Sequence, residues 1–179
     1  MIMSLDLKSL DDTVRKLMLE EIELDNRNNT LYISQRLNEK GKKTYLELLK
    51  ESANSGNDSM LAYRLLNESC MAEKELRKKK NGGFSEVSVP YNANETLAEG
   101  EFNRFYMRAL CLRVIKAGKG KLKVYRAKQV DNARQESMNK IGQIVDPEKL
   151  LSDLRANVGS DTALGLPPGP NSGLSIEII

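Results

Sequence analysis

Three charged residues set at helical spacing are the first candidates for chemistry in this chain. Glu101, Arg104 and Arg108 lie three and four residues apart inside an otherwise strongly apolar segment, so on a helix they share one strip. A guanidinium offers a planar fork of donors that fits phosphate or carboxylate, and a glutamate beside two arginines can orient them. The strip has a plainer use: Glu101 pairs with Arg104 along the helix, and Arg108 meets solvent or an acid of the N-terminal helical unit. Arg126 extends the set. In residues 121–127 the period-two alternation puts Leu122, Val124 and Arg126 on one face. Arg126 is then an inward arginine at a strand end, which needs a pairing acid or serves as a third arm for an anion. The opposite face, Lys121, Lys123 and Tyr125, is basic with one aromatic, a pattern found on nucleic-acid-binding surfaces.

Composition narrows what else these residues could do. The chain has no histidine, which excludes Ser-His-Asp and Cys-His nucleophile arrangements and histidine acid–base catalysis. Two distant cysteines, Cys70 and Cys111, cannot supply a Cys-rich zinc set. No catalytic, cofactor or metal-binding motif is expected, and any catalysis must run on carboxylates, Arg, Lys, Tyr or Ser. Gly118-Lys119-Gly120-Lys121 has the residues of a phosphate loop without its spacing and reads as a turn. Gly169-Pro170-Asn171-Ser172-Gly173 could present backbone N–H groups to an anion; its plainer reading is a rigid loop before a strand.

The net charge of +3 conceals an asymmetry. Residues 1–26 hold seven acids and three bases, whereas residues 113–128 hold seven bases and no acid. Such a split marks either an anionic partner or the docking of one end of the chain on the other.

Several elements must position these groups. A first helix is predicted over 11–24, with Val14, Leu17, Met18 and Ile22 as its apolar face and 26–29 as its break. Leu31-Tyr32-Ile33 reads as a short strand or an extended lead-in. A second helix is predicted over 42–53, and a third over 59–67 capped by Asp58. The charge run at 73–80 followed by Asn81-Gly82-Gly83 reads as a linker or exposed turn. Residues 84–89 alternate as a strand, stopped by Pro90. Asn94 is the expected cap of a long helix over 95–117 that ends at Gly118. Residues 121–127 form a second strand, Asp146-Pro147-Glu148 starts a short helix, and 174–178 alternate as a last strand after a Gly/Pro-rich stretch at 164–173.

At about 100° per residue, Ala98, Phe102, Phe105, Tyr106, Ala109 and Leu112 fall in one stripe of the long helix. Met107, Leu110, Val114 and Ala117 fall on the far side. A helix apolar on two sides lies between layers, and the Glu101–Arg104–Arg108 strip is what remains between them.

The expected fold class is α+β, since strands and helices do not alternate regularly. It has an N-terminal helical unit (1–72), a basic linker or exposed turn (73–83), and an α+β unit (84–179) in which one long helix packs on a small, mostly antiparallel sheet. The strands at 84–89, 121–127 and 174–178 are expected to pair in one sheet. No apolar run approaches the roughly 18–20 residues of a membrane span, no secretion signal is read, and two unspaced thiols suit a reducing, cytoplasmic setting. The expected function is a non-enzymatic binding protein with a basic, arginine-bearing surface for a phosphate-bearing partner, nucleic acid or nucleotide. The alternatives are a structural or protein-interaction subunit of a larger assembly, with acidic and basic ends docking between copies, and an enzyme acting on a phosphorylated substrate with Glu101 as base.

Overall fold

Short polar side chains at fixed offsets start four of the helices in the computed structural model, which describes residues 4–128, 130–159 and 173–179. Asp11 Oδ1 accepts from Val14 N–H (3.0 Å) at the head of α1, Asp12–Arg27. Asn38 Oδ1 accepts from Gly41 N–H (2.8 Å) at the head of α2, Glu39–Ser55. Asn57 Oδ1 accepts from Met60 N–H (2.9 Å) at α3, Asp58–Asn67. Asp146 does the same for Lys149 N–H (2.8 Å) at α6, Pro147–Ala156. Each such cap satisfies an N–H that the first helical turn leaves without a partner.

Two expected caps have other work. Asn57 caps α3 one residue ahead of Asp58, and Asp58 is buried in the first turn, where its carboxylate accepts from Ser4 Oγ (2.6 Å) and Leu5 N–H (3.2 Å). The long helix α4, Ala93–Ala117, starts two residues before the sequence places it, at Asn92 and with no side-chain cap bond. Asn94 lies inside it, buried, and its Nδ2 donates to Ala62 O of α3 (2.9 Å). The end of α4 is as expected: Gly118 takes the left-handed conformation (φ 63°), which a side chain resists.

α4 is 25 residues, about 37 Å at 1.5 Å per residue. It packs against α1, α3 and α6 and against the strands β3 (Leu122–Arg126) and β5 (Leu174–Ile178). Sixteen of its residues are buried, including Glu101, Arg104 and Arg108, so the two-sided apolar reading is borne out and the charged strip is enclosed as well. α1 to α3 form the expected helical layer; α1 runs three residues past its anticipated end, into the expected break, and α2 begins three residues early. Residues 31–33 form no strand. Leu31 and Tyr32 instead pack on the core, and Leu37 makes an isolated bridge to Met71.

The sheet differs from the expected one. β3 is central to an antiparallel three-stranded sheet, between β5 and the two-residue β4 (Ile144–Val145). A six-residue helix, α5 (Gln135–Lys140), precedes β4. Residues 84–88 do not join this sheet. They form β2 (Phe84–Ser88), paired antiparallel with β1 (Lys74–Lys78), which lies in the stretch read as a linker. Val89 and Pro90 lead directly into α4, and the nearest edge β2 can reach is the strand just before it. The strand residues of β1 were hidden because Lys74-Glu75-Leu76-Arg77-Lys78 is polar on both faces. The Gly/Pro-rich stretch at 164–172 lies outside the described residues.

Leu122, Val124, Leu174 and Ile176 join the main core with α4, whereas Tyr125 and Ala127 form a small second cluster with Leu5. The N-terminal segment therefore covers the face of β3 that the alternation assigned to solvent. Tyr125 is only 7% exposed. Its hydroxyl donates to Asp6 O and accepts from Lys8 N–H (3.4 Å), while Asp6 N–H donates to Ala127 O (2.8 Å).

α2 lies so close to the chain after α3 that a Cβ at Gly41 would sit 2.2 Å from the backbone oxygen of Cys70. Gly41→Ala is expected to lower unfolding stability by about 2 kcal/mol, the scale of an overpacked site, measured by urea denaturation. An unchanged midpoint would mean that α2 is free to move away from Cys70.

Candidate functional site

Arg108 is the best-determined of the sequence candidates. It lies on α4 opposite two acids of α1 that are four residues apart and so share one helical face. Its Nε donates to Glu21 Oε2 (2.6 Å), and its two terminal nitrogens donate to Asp25 Oδ2 and Oδ1 (2.7 and 2.8 Å), a fork-to-fork pair. Arg155 of α6 reaches the same glutamate, with Nε 3.0 Å from Oε2. Two arginines and two carboxylates thus join three helices in a charge-balanced cluster. The guanidinium of Arg108 also lies 4.9 Å from the ring centroid of Phe105.

Burial alone would lower the pKa of Arg108, but the hydrogen bonds and charges of Asp25 and Glu21 outweigh it and raise it. Burial likewise works to raise Glu21, but the hydrogen bond from Arg155 and the charge of Arg108 hold its carboxyl below the ordinary value of 4.5.

Arg104 and Glu101 sit one turn earlier. Arg104 Nε donates to Glu101 Oε1 (3.2 Å), the anticipated pair along the helix, and Arg104 also donates to Asn157 O just past α6. Both residues are 3% exposed. Tyr45 of α2 is wholly buried nearby; burial first, and then the Glu101 charge, push its ionisation far up. Arg126 is half-buried at the end of β3, opposite Leu174 in the register. Arg104 and Arg108 therefore spend their donors on separate internal partners, and of the two uses open to Arg108 the structure has the acid of the N-terminal unit.

The basic stretch 113–128 is divided in the same way. Arg113 pairs with Asp11 (2.6 Å), Lys116 with Glu20 (3.3 Å), Lys123 with Glu177 (3.1 Å) and Lys128 with Glu99. Asp11 and Glu20 belong to the acidic N-terminal region, so the charge asymmetry closes at least in part within one chain. Lys119 and Lys121 remain exposed in the turn after α4. Lys121 exchanges both backbone hydrogen bonds with Ile179 (3.0 and 2.9 Å), as a turn leading into a sheet does. Lys121, Lys123 and Tyr125 do not form the open basic–aromatic face that alternation suggested, because the N-terminal segment lies over Tyr125 and Lys8 Nζ sits 4.3 Å from its ring centroid.

Cys70 and Cys111 are free and buried. Among the described residues, no group of three or more His, Cys, Asp or Glu is placed to hold a metal ion, and no helix is long and apolar enough to cross a membrane. The backbone donors of 169–172 lie outside the described residues.

The β1–β2 hairpin is the surface that sequence reasoning passed over. Its inner side is anchored by Arg36, whose Nε and Nη2 donate to Glu75 (2.6 and 3.2 Å). Its outer side carries Lys74, Leu76 and Lys78 on β1 and Phe84, Glu86 and Ser88 on β2, all exposed. Lys74 pairs with Glu86 (2.8 Å). Lys78, Lys79 and Lys80 run consecutively to the tip and have no ion-pair partner among the described residues. The turn is a three-residue type: Gly82 N–H donates to Lys79 O (3.2 Å), Lys79 N–H donates to Gly83 O (3.0 Å), and Gly82 takes φ 89°. The signal available in the sequence was Asn81-Gly82-Gly83 directly ahead of an alternating strand, a hairpin turn that needs a strand on its other side.

No known protein family, curated protein or solved structure matches this chain.

Removing one member of the buried cluster leaves a charge without its partner. Arg108→Met is expected to cost about 3–5 kcal/mol in urea unfolding. Because the folded-state pKa of Glu21 is depressed, its contribution is complete above the unfolded value near 4.5 and is lost as pH falls through the lower folded value. Stability should therefore drop on acidification below about pH 4.5, and less steeply in Glu21→Gln; equal slopes in the two proteins would remove Glu21 from the account.

Proposed function

We propose that this protein is a non-enzymatic binding protein that holds a phosphate-bearing partner, a nucleic acid or nucleotide-bearing molecule, on the basic β1–β2 hairpin. The observation that carries this reading is the run Lys78-Lys79-Lys80, exposed at the tip and free of acid partners among the described residues. Arg108, Arg113, Lys116, Lys123 and Lys128 are by contrast engaged with acids of the same chain. Free lysines on a projecting ribbon attract phosphate at long range and bind it through counterion release. Glu101, the carboxylate that would serve an enzyme as base, is buried against Arg104.

A second reading, a protein-interaction subunit, draws on Leu76 and Phe84 of the same hairpin, which are 69% and 65% exposed. Light scattering over a range of concentrations tests it for self-association.

Fluorescence anisotropy with labelled oligonucleotides, single-stranded and duplex, tests the first reading at about 50 mM salt, where the phosphate contribution is large. Affinity should fall linearly with the logarithm of salt concentration. Replacing Lys78, Lys79 and Lys80 together by Gln should flatten that slope by about 2, from roughly 0.7 per lysine on a single strand. Absence of binding to both oligonucleotides at low salt would refute the proposal.

A further inference from the structure

The outer face of the hairpin has a pattern that charge alone does not require. Phe84 is directly opposite Lys78 in the register, and Leu76, opposite Glu86, lies on the diagonal from Phe84. Diagonal neighbours on one face of an antiparallel pair are about 7–8 Å apart, within reach of an aromatic side chain. The register thus sets Phe84 and Leu76 as diagonal apolar neighbours on one exposed face, with Lys78 on one flank and Lys79 and Lys80 beyond it at the tip. Both are more than three-fifths exposed, and β1 and β2 pack chiefly on each other.

We infer that the partner of this hairpin is a single-stranded nucleic acid, with a base stacked on Phe84, Leu76 supporting the stack, and the adjoining phosphates on Lys78, Lys79 and Lys80. This inference rests on the reading of the hairpin as a phosphate-binding surface and adds the class of ligand. An aromatic ring accepts the π-face of any base, and lysines beside it track the backbone; this is the combination by which single strands are held without sequence preference. A duplex keeps its bases stacked on each other and offers none to an exposed ring, so it would engage the lysines alone. The charge complementarity is local: among the described residues no acid pairs with Lys78, Lys79 or Lys80, and Glu86, the acid on this face, is taken by Lys74.

Phe84 is exposed and belongs to neither buried apolar cluster, so its replacement is expected to leave folding intact. The test uses the full chain with a labelled oligothymidylate and a duplex of equal length at low salt. Phe84→Ala should weaken the single strand about tenfold, within the range for one stacked base, and leave the duplex unchanged. The chain has no tryptophan, so Phe84→Trp provides a single indole reporter, which should retain single-strand binding and be quenched when the oligonucleotide is added. An unchanged single-strand affinity in Phe84→Ala, or an unquenched indole in a bound complex, overturns the inference while the phosphate reading stands. Competition by polyglutamate as effective as by oligothymidylate also overturns it and assigns the hairpin to an acidic protein. Failure of both single strand and duplex to bind defeats the parent reading as well.

Discussion

Enclosing the middle of one long helix is the constraint from which the rest of this structure follows. Between Leu97 and Cys111 α4 is buried almost throughout, so Glu101, Arg104 and Arg108 are cut off from water and must be answered by polar or charged groups on whatever packs against them. Arg108 is answered by Glu21 and Asp25, and Arg155 completes the balance on Glu21. The cluster is costly to assemble, because each ion gives up its hydration, and costly to break, because a lone survivor remains buried. It thereby fixes the relative placement of α1, α4 and α6 more sharply than apolar packing, which tolerates sliding, would do alone.

That arrangement bears on function by subtraction. Arg104 and Arg108, whose chemistry would suit a bound anion, are engaged inside the protein, and four of the seven basic residues of 113–128 are paired with acids nearer the surface. Exposed pairs such as Arg113–Asp11 contribute little stability, at most about 1 kcal/mol each. They do cancel the field that a phosphate would feel. The longest run of bases without acid partners among the described residues lies on a ribbon tied to the helical body through Arg36 and Glu75.

The parts of the fold legible in the sequence were those set by local rules. The periodicity of α4, its glycine stop, the Asp146-Pro147-Glu148 start and the alternation of residues 174–178 each follow from a few adjacent residues. The pairing of β2 with β1 was not legible, because a strand polar on both faces has no period to detect. Nor was the burial of Tyr125: alternation says that it faces away from Val124, and it does, but only the tertiary fold brings Leu5 and Asp6 over it. Glu21 and Asp25 were visible as acids at helical spacing. At about 100° per residue they fall on the face of Val14, Leu17, Met18 and Ile22, whereas Glu20 and Glu23 fall off it; what no local pattern supplies is that Arg108 and Arg155 meet them there.

The enclosure of α4 extends to Cys111, in the helix three residues after Arg108. Burial pushes its thiol up to about 12, so at neutral pH it is held as the unreactive thiol. A thiol-specific reagent must wait for the helix to leave its surroundings, and the rate at which this cysteine is labelled counts openings of the core. The chain thus carries its own clock for the persistence of its folded state, read without attaching any probe beforehand.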